Sequence, residues 1–274
     1  MNLTRAKEVI EAAGFEAKEV EVVKGGIYKH ALNVGSGKVL PTIYEETVAD
    51  MDDEELISFV ARITGNLPDS VDIVSLLTRE YVLDHVVSCV RPLVEGDKNA
   101  VALPTQYEGI EEVFKIALPE DLFAGKGQST VQLTWSLAKS IDLTSEEVQE
   151  AARENLRAQA TVRSMSEVLS GMGADIPEGI VDEVPPMLVA SNLSNTNGAS
   201  VILLTDYLSE VAQQYGWDGV IIVPSSVHEV LLLPDVNVDL DYIAAMIAEV
   251  NTSQVAPEDV LSWQPYRLPL TATC

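Results

Sequence analysis

Apolar and polar positions in the first part of the chain change from a helical period to strand-like alternation. Residues 1–14 carry apolar side chains at helical spacing. Three β-type runs follow, separated by glycine-containing turns: Glu19–Val23, Ile27–Val34 and Lys38–Tyr44. This pattern predicts one helix followed by a small antiparallel meander.

The middle of the chain combines one long helical pattern with a second pair of strands. Apolar spacing predicts a helix over about Ile73–Leu93. The runs Gly109–Leu118 and Gln128–Trp135 predict two further strands that pair. Thr144 and Glu147 have the spacing of a capping box, in which each side chain accepts from the other residue's backbone N–H. A helix is therefore expected to begin directly after Thr144.

A glycine- and proline-rich stretch near residues 171–186 predicts a boundary between an N-terminal lobe, residues 1–170, and a C-terminal lobe, residues 187–274. Within the second lobe the predicted elements run β-β-α-β-β-α. They lie at Met187–Asn192, Ala199–Leu204, Asp206–Tyr215, Gly219–Val223, His228–Leu233 and Leu240–Val250. The prediction is an α+β fold of two lobes, with antiparallel sheets and helices packed on one side.

The charge distribution restricts what the C-terminal lobe can bind. The chain has a formal net charge of −26, and no lysine or arginine occurs from Ser164 to Tyr266. Because lysine and arginine are the side chains that hold phosphates, this region is not expected to bind nucleic acid directly. A surface of one sign favours a basic protein as partner.

Cysteine count and hydropathy point to a cytoplasmic protein. Cys89 and Cys274 are too few for a disulfide framework, and Cys89 has the setting of a small buried hydrophobic residue. No run approaches the ~20 apolar residues of a membrane span. The N-terminus lacks the continuous apolar stretch of a signal peptide, so no membrane association is expected.

One polar cluster has the ingredients of an activated nucleophile. It comprises Ser225, Ser226, His228 and Glu229, with Asn192 and Asn251 as candidate ligand-binding residues. In a strand Ser226 and His228 would share a face while Glu229 would point away, so this segment does not form a triad by itself. The alternative is structural: the serines satisfy the turn and His228 is hydrogen-bonded where a strand begins.

Motifs for cofactors and metals are incomplete. His228-Glu229 begins like a zinc-protease motif, but Leu232 stands where the second histidine is required. Gly35-Ser-Gly-Lys38 is similar to the tail of a phosphate loop, although Leu32 and Val39 occupy two of that motif's required positions. No cofactor and no metal are therefore expected.

Seven segments of the chain have the character of a family signature. They are Ser191-Asn192, Gly198-Ala-Ser-Val-Ile, Ile222-Val-Pro-Ser-Ser-Val-His-Glu-Val230, Glu249-Val-Asn251, Val255-Ala-Pro-Glu-Asp-Val-Leu-Ser262, Leu40-Pro-Thr-Ile-Tyr44 and the helix that begins after Thr144. Together they resemble a bacterial family of domains of unknown function, number fifty-six eighty-eight. The resemblance covers nearly the whole chain and implies an origin in Firmicutes or their mobile elements. It implies a shared fold and no established activity.

Three functional hypotheses follow from these observations. The first is a non-enzymatic interaction or regulatory protein, since no complete catalytic motif is present while the acidic lobe offers a binding surface. The second is a hydrolase that uses His228 with Ser225 or Ser226 and an acid from elsewhere. The third is an acidic mimic of nucleic acid that binds a basic protein.

Overall fold

The computed structural model describes residues 1–36, 40–65, 73–119, 129–173 and 187–270 of the chain. Three antiparallel sheets and the helices around them form an α+β fold, as the sequence predicts. The phosphate-loop-like Lys38, the centre of the predicted boundary at residues 174–186, and Cys274 lie outside the described residues. The division into two lobes stays a prediction.

The N-terminal part is a helix-covered meander. Its elements are α1 (Leu3–Ala12), β1 (Ala17–Lys24), β2 (Ile27–Val34), β3 (Thr42–Tyr44), α2 (Glu45–Val48) and α3 (Asp53–Gly65). The strand order β1-β2-β3 confirms the predicted meander. Leu32 and Ile43 on the sheet pack with Ile10 of α1 and Leu56 of α3, so one face of this sheet is buried by its own helices.

The middle part is a second sheet with helices against it. Its elements are α4 (Ile73–Leu76), α5 (Arg79–His85), β4 (Val86–Pro92), β5 (Ala102–Pro104), β6 (Ile110–Ala117), β7 (Thr130–Gln132), α6 (Trp135–Ser140) and α7 (Ser145–Gln159). β6 lies at the centre, with β4 on one side and with β5 and β7 on the other. The β6–β7 pair and the Thr144 capping box confirm two predictions.

The predicted helix over Ile73–Leu93 is wrong in its second half. The chain leaves α5 at His85 and continues as β4, whose residues are almost all buried. A strand buried on both faces is apolar at nearly every position, so its spacing is also compatible with a buried helix.

The C-terminal part contains a five-stranded sheet. Its elements are β8 (Ala160–Ser164), α8 (Met165–Gly171), β9 (Leu188–Asn192), a 3-10 helix (Gly198–Leu203), α9 (Thr205–Gln214), β10 (Gly219–Pro224), β11 (Val230–Pro234), α10 (Leu240–Ser253), a 3-10 turn (Pro257–Asp259) and β12 (Tyr266–Pro269). The strand order is β12-β10-β11-β9-β8, and every neighbouring pair is antiparallel.

The predicted strand at Ala199–Leu204 is instead part of the 3-10 helix. The strands beside β9 are β11 and β8, and β8 comes from the N-terminal side of the predicted boundary. Asn197, between β9 and this segment, adopts the left-handed conformation of a tight turn, with φ of 53°. The chain after it turns into a buried helical segment because a turn signal fixes only the turn and not the element that follows.

The two faces of the five-stranded sheet are covered differently. Val220 and Ile222 of β10 point into the main core, which α9 and the 3-10 helix complete. Ile221 points to the opposite face, where it packs against Ile243 and Ile247 of α10. The sequence predicts helices on one side of the sheet, whereas α9 and α10 lie on opposite faces because β10 is apolar in both directions.

Candidate functional site

The loop between β10 and β11 holds His228 in a network of backbone contacts. The Asn197 N–H donates to His228 Nδ1 at 3.2 Å. Because a backbone N–H can only donate, Nδ1 is the accepting nitrogen and the ring proton of the neutral imidazole is on Nε2. His228 Nε2 lies 3.4 Å from Asp259 Oδ1. Both ring nitrogens therefore face groups of the protein itself.

The neighbouring serines do not bond the imidazole ring. Ser226 Oγ accepts from the backbone N–H of His228 at 3.0 Å, which is the contact of a serine turn. Ser225 lines a groove beside α10 instead. Within the described part of the chain neither hydroxyl bonds the His228 ring, and these four residues form a loop, not the start of a strand. Glu229 is half-buried beside them.

The two candidate asparagines lie apart from this ring. Asn192 closes its own loop, with Nδ2 donating to the Thr196 carbonyl at 2.8 Å. Asn251 is buried and donates to the Ser262 carbonyl at 3.0 Å, where it fastens the end of α10. Both side chains thus satisfy backbone groups, and within the described residues neither makes a hydrogen bond to the His228 ring.

A close backbone approach positions the His228 loop. Ser191 Oγ donates to the His228 carbonyl at 2.8 Å. A Cβ added at Gly198 would lie 2.1 Å from Ser191 Oγ and 2.6 Å from the His228 carbonyl oxygen. Only glycine fits here, so Gly198 allows the 3-10 helix, β9 and the His228 loop to meet.

The imidazole of His228 stands at the edge of a polar cleft between the three sheets. The cleft has a volume of about 590 Å³. Its walls include Lys24 and Tyr44 of the first sheet and Lys115 of the second. His228 and Asp259 form the third wall. We call this site the inter-sheet cleft.

Glu258 joins the N-terminal sheet to the turn that carries Asp259. Its Oε1 accepts from Lys29 Nζ at 3.1 Å and from Lys24 Nζ at 3.2 Å. Its own backbone N–H and Lys29 hold the pKa of the Glu258 carboxyl at about 2. Gly25 packs so closely that a Cβ there would lie 1.6 Å from the Glu258 carbonyl oxygen. The hairpin tip of β1 and β2 is therefore fixed against residue 258.

A second concave surface lies on the other side of the same loop. It has a volume of about 390 Å³ and runs between α10 and the partly covered ends of β10 and β11. Val223, Leu231 and Leu233 form its sheet wall, while Tyr242 and Met246 form its helix wall. We call this surface the α10 groove.

The helix wall continues as an exposed apolar stripe. Tyr242, Met246 and Val250 are 66%, 49% and 45% exposed, respectively. Their spacing of four residues places them in one row along α10. That row stands beside the buried row of Ile243 and Ile247, so α10 has more apolar surface than the sheet covers.

The charged residues around the α10 groove are acidic. Asp239 lines it, and Asp241 and Glu249 are exposed on α10. Arg267 is the next cation along the chain after Arg163, and its Nε is paired with Asp235 Oδ2 at 2.9 Å. An apolar surface rimmed by carboxylates is complementary to an apolar surface rimmed by lysine or arginine.

Within the described ranges no group of three or more His, Cys, Asp or Glu side chains is placed to hold a metal ion. None of the described helices has the length and apolar character needed to cross a bilayer.

Comparison with known proteins places the chain in a family. Residues 26–268 match the family of unknown function DUF5688. The chain belongs to this family. No curated protein and no solved structure gives a significant match. Membership in DUF5688 is consistent with the predicted resemblance, while the expected origin in Firmicutes or their mobile elements stays a prediction.

Several residues of the two surfaces were not identified from sequence. Asp259 and Lys115 are distant in the chain from His228, and nothing local marks them as its neighbours in space. The helix wall of the α10 groove, in contrast, does have a recognisable pattern in the sequence. Tyr242, Met246 and Val250 form a second apolar row beside the core row, which widens the apolar face of α10 beyond that of a helix packed on one surface.

Proposed function

We propose that this DUF5688 protein is a non-enzymatic interaction protein that binds a basic amphipathic helix of a partner protein in the α10 groove. The observation that carries the proposal is the exposed apolar row of Tyr242, Met246 and Val250 within a region that has no lysine or arginine. Its setting in a bacterium or a mobile element belongs to the proposal as well.

The length of the apolar row along the groove matches one face of a short partner helix. Eight residues separate Tyr242 from Val250, which corresponds to ~12 Å at ~1.5 Å per residue. Three side chains on one face of a partner helix, at i, i+3 or i+4, and i+7, span a similar length. Met187 and Met246 line the groove and adapt to side chains of different shape, because methionine is unbranched and flexible.

The charge around the α10 groove favours a basic partner helix over an acidic one. Asp239 lines the groove, Asp241 and Glu249 are exposed on α10, and the segment from Ser164 to Tyr266 has no lysine or arginine to neutralise a partner's carboxylate. A helix with lysine or arginine beside its apolar face gains from this rim, whereas an acidic helix is repelled. We therefore expect the affinity to fall as salt concentration rises.

The geometry of His228 supports a binding role over the hydrolase hypothesis. Its Nδ1 already accepts from Asn197 N–H, and Ser226 Oγ already accepts from His228 N–H. General-base activation of a serine requires a free ring nitrogen that faces the hydroxyl. The arrangement in this loop instead satisfies backbone groups.

The proposal is tested with a displayed library of helical peptides selected on the wild-type protein. We expect enriched sequences with apolar residues at i, i+3 or i+4, and i+7 and with flanking Lys or Arg. Met246→Glu should weaken binding of an enriched peptide roughly tenfold or more, measured by fluorescence anisotropy. Leu193→Glu is the matched control, because Leu193 is 70% exposed and lies outside the groove.

Three outcomes would contradict the proposal. The first is enrichment of acidic sequences or of sequences without an apolar row. The second is equal binding by wild type and Met246→Glu. The third is a wild-type dimer that becomes a monomer in Met246→Glu, measured by sedimentation, because a second copy of the chain would then be the occupant.

A further inference from the structure

We propose that the inter-sheet cleft binds a small organic anion, with a carboxylate or phosphate group paired to Lys115. This site is separate from the α10 groove and does not depend on it. Lys115 lies on β6, at the centre of the second sheet, opposite Val87 of β4 and Gln132 of β7.

The face of the sheet that carries Lys115 forms the floor of the cleft. Val113 lies two residues away on the same strand and face, and Cys89 stands directly opposite Val113 on β4. All three line the cleft together with Gln132. Since Cys89 and Val113 are buried, the lysine stem rises from an apolar floor.

Lys115 differs from the other cations of the described residues. Those held in ion pairs are Arg5, Lys7, Lys24, Lys29, Arg79, Arg91, Arg153, Arg157 and Arg267. Those without an ion pair are exposed: Lys18, Arg62, Lys98, Lys139 and Arg163. Within the described chain Lys115 is the cation that is partly buried and yet has no carboxylate within ion-pair distance.

Lys115 places a positive charge in the cleft that no carboxylate of the described residues neutralises through an ion pair. The nearby carboxylate of Glu258 is already shared between Lys24 and Lys29, so it is neutralised locally. An anionic group of a ligand would supply the missing counter-ion. Small-molecule sites combine an apolar lining with a few polar or charged groups, and this cleft has that combination.

The other walls offer hydrogen bonds to the remainder of such a ligand. Gln132 Nε2 donates to the Phe114 carbonyl at 2.7 Å, which leaves its Oε1 as an acceptor. The Tyr44 hydroxyl makes no hydrogen bond within the described residues, and Asp259 is an acceptor beside His228. These groups suit hydroxyl or amino donors on the ligand. The volume of about 590 Å³ lies in the range typical of small-molecule sites.

The first experiment measures thermal unfolding with three probes, inorganic phosphate, citrate and O-phosphoserine, each against sodium chloride at equal ionic strength. We expect at least one probe to raise the Tm of wild type in a saturable way. The rise should be lost in Lys115→Gln and kept in Lys139→Gln, whose lysine is exposed and unpaired. If none of the probes raises the wild-type Tm, or if Lys115→Gln keeps the rise, the proposal is wrong.

A second experiment separates a ligand-binding role from a structural one. Without probe, Lys115→Met should unfold at the same Tm as wild type or at a higher one, because the variant removes an uncompensated charge from an apolar floor. A lower Tm would mean that Lys115 stabilises the fold, and it would overturn the inference. Met246→Glu should keep the full response to the probe, since it alters only the α10 groove.

Discussion

Both faces of the five-stranded sheet are lined by apolar side chains, but one face is covered more completely than the other. On one face Val220, Ile222 and Leu232 are at most 1% exposed within the main core. On the other face Val223 and Leu233 remain partly open beside α10. The difference shows that the second face has apolar surface beyond what the intramolecular core requires.

This contrast has a physical meaning for function. A fully packed face contributes stability through burial and close contact. A face that one helix covers in part contributes less, and its remaining apolar area is available for association. Four comparisons of variants test how far the two faces differ, and their expected effects on the free energy of unfolding decrease from the first to the last.

The largest effect is expected where the core face loses volume. Ile222→Ala should lower the free energy of unfolding by about 3 kcal/mol, because the site is fully enclosed and cannot collapse around the cavity. Val223→Ala, one residue away on the groove face, should cost about 1 kcal/mol. Urea unfolding of both variants measures the difference, and equal costs would show that the groove face is as tightly packed as the core face.

A somewhat smaller effect is expected where the 3-10 helix closes the core face. Gly198→Ala should cost about 2 kcal/mol, since the new methyl group would displace Ser191 and the His228 loop. Gly171→Ala is the control, because Gly171 ends α8 and has no atom within 4 Å of an added Cβ. If both variants have the same free energy of unfolding, the close backbone approach at Gly198 does not stabilise the packing of the core face.

The third variant alters the turn that follows α10, the helix that partly covers the open face. The turn after α10 is fixed to the N-terminal sheet through Glu258, whose carboxyl pKa is about 2 and thus below its usual value of 4.5. A lowered pKa stabilises the fold above pH ~4.5 and stops doing so as pH falls towards 2. Glu258→Gln should therefore cost about 1–2 kcal/mol at pH 7 and progressively less below pH ~4.5.

Urea unfolding of wild type and Glu258→Gln across this pH range measures the loss. Glu249→Gln serves as the control, because Glu249 is exposed on α10 and has no ion pair within the described residues. A difference between wild type and Glu258→Gln that stays constant down to pH ~3 would rule out the carboxylate as the source of the stabilisation.

The smallest effect on stability is expected in the groove itself. Met246→Glu should change the free energy of unfolding by less than about 0.5 kcal/mol, since Met246 is half-exposed. The same variant is expected to lose peptide binding. A large loss of stability would instead mean that the exposed row belongs to the core of the second face.

Local signals in the sequence predicted the elements whose cause is local. The Thr144 capping box and the strand Ile27–Val34 are both found where they were expected. The segment Val86–Pro92 was misassigned because burial on both faces removes the alternation that distinguishes a strand. Ala199–Leu204 was misassigned because tertiary burial, and not its own pattern, decides its helical form.

The candidate sites, too, could be predicted only as far as local sequence determines them. His228 was singled out from sequence and does stand at a cleft, but its neighbours come from remote segments. Asn197 reaches it through the turn before the 3-10 helix, and Asp259 reaches it through the turn after α10. These contacts depend on how the three sheets are arranged. Residue spacing within one segment carries no information about that arrangement.

The lack of lysine and arginine around the α10 groove also limits which enzymes can act on it. Arg163 and Arg267 lie on β8 and β12, the two edge strands of the sheet. Trypsin therefore has no cleavage site in β9, β10, β11, α9 or α10. Acetylation, methylation and ubiquitin attachment at lysine cannot alter the groove either. If the proposed basic partner binds here, control by acetylation would act on the lysines of the partner, which would lose their charge.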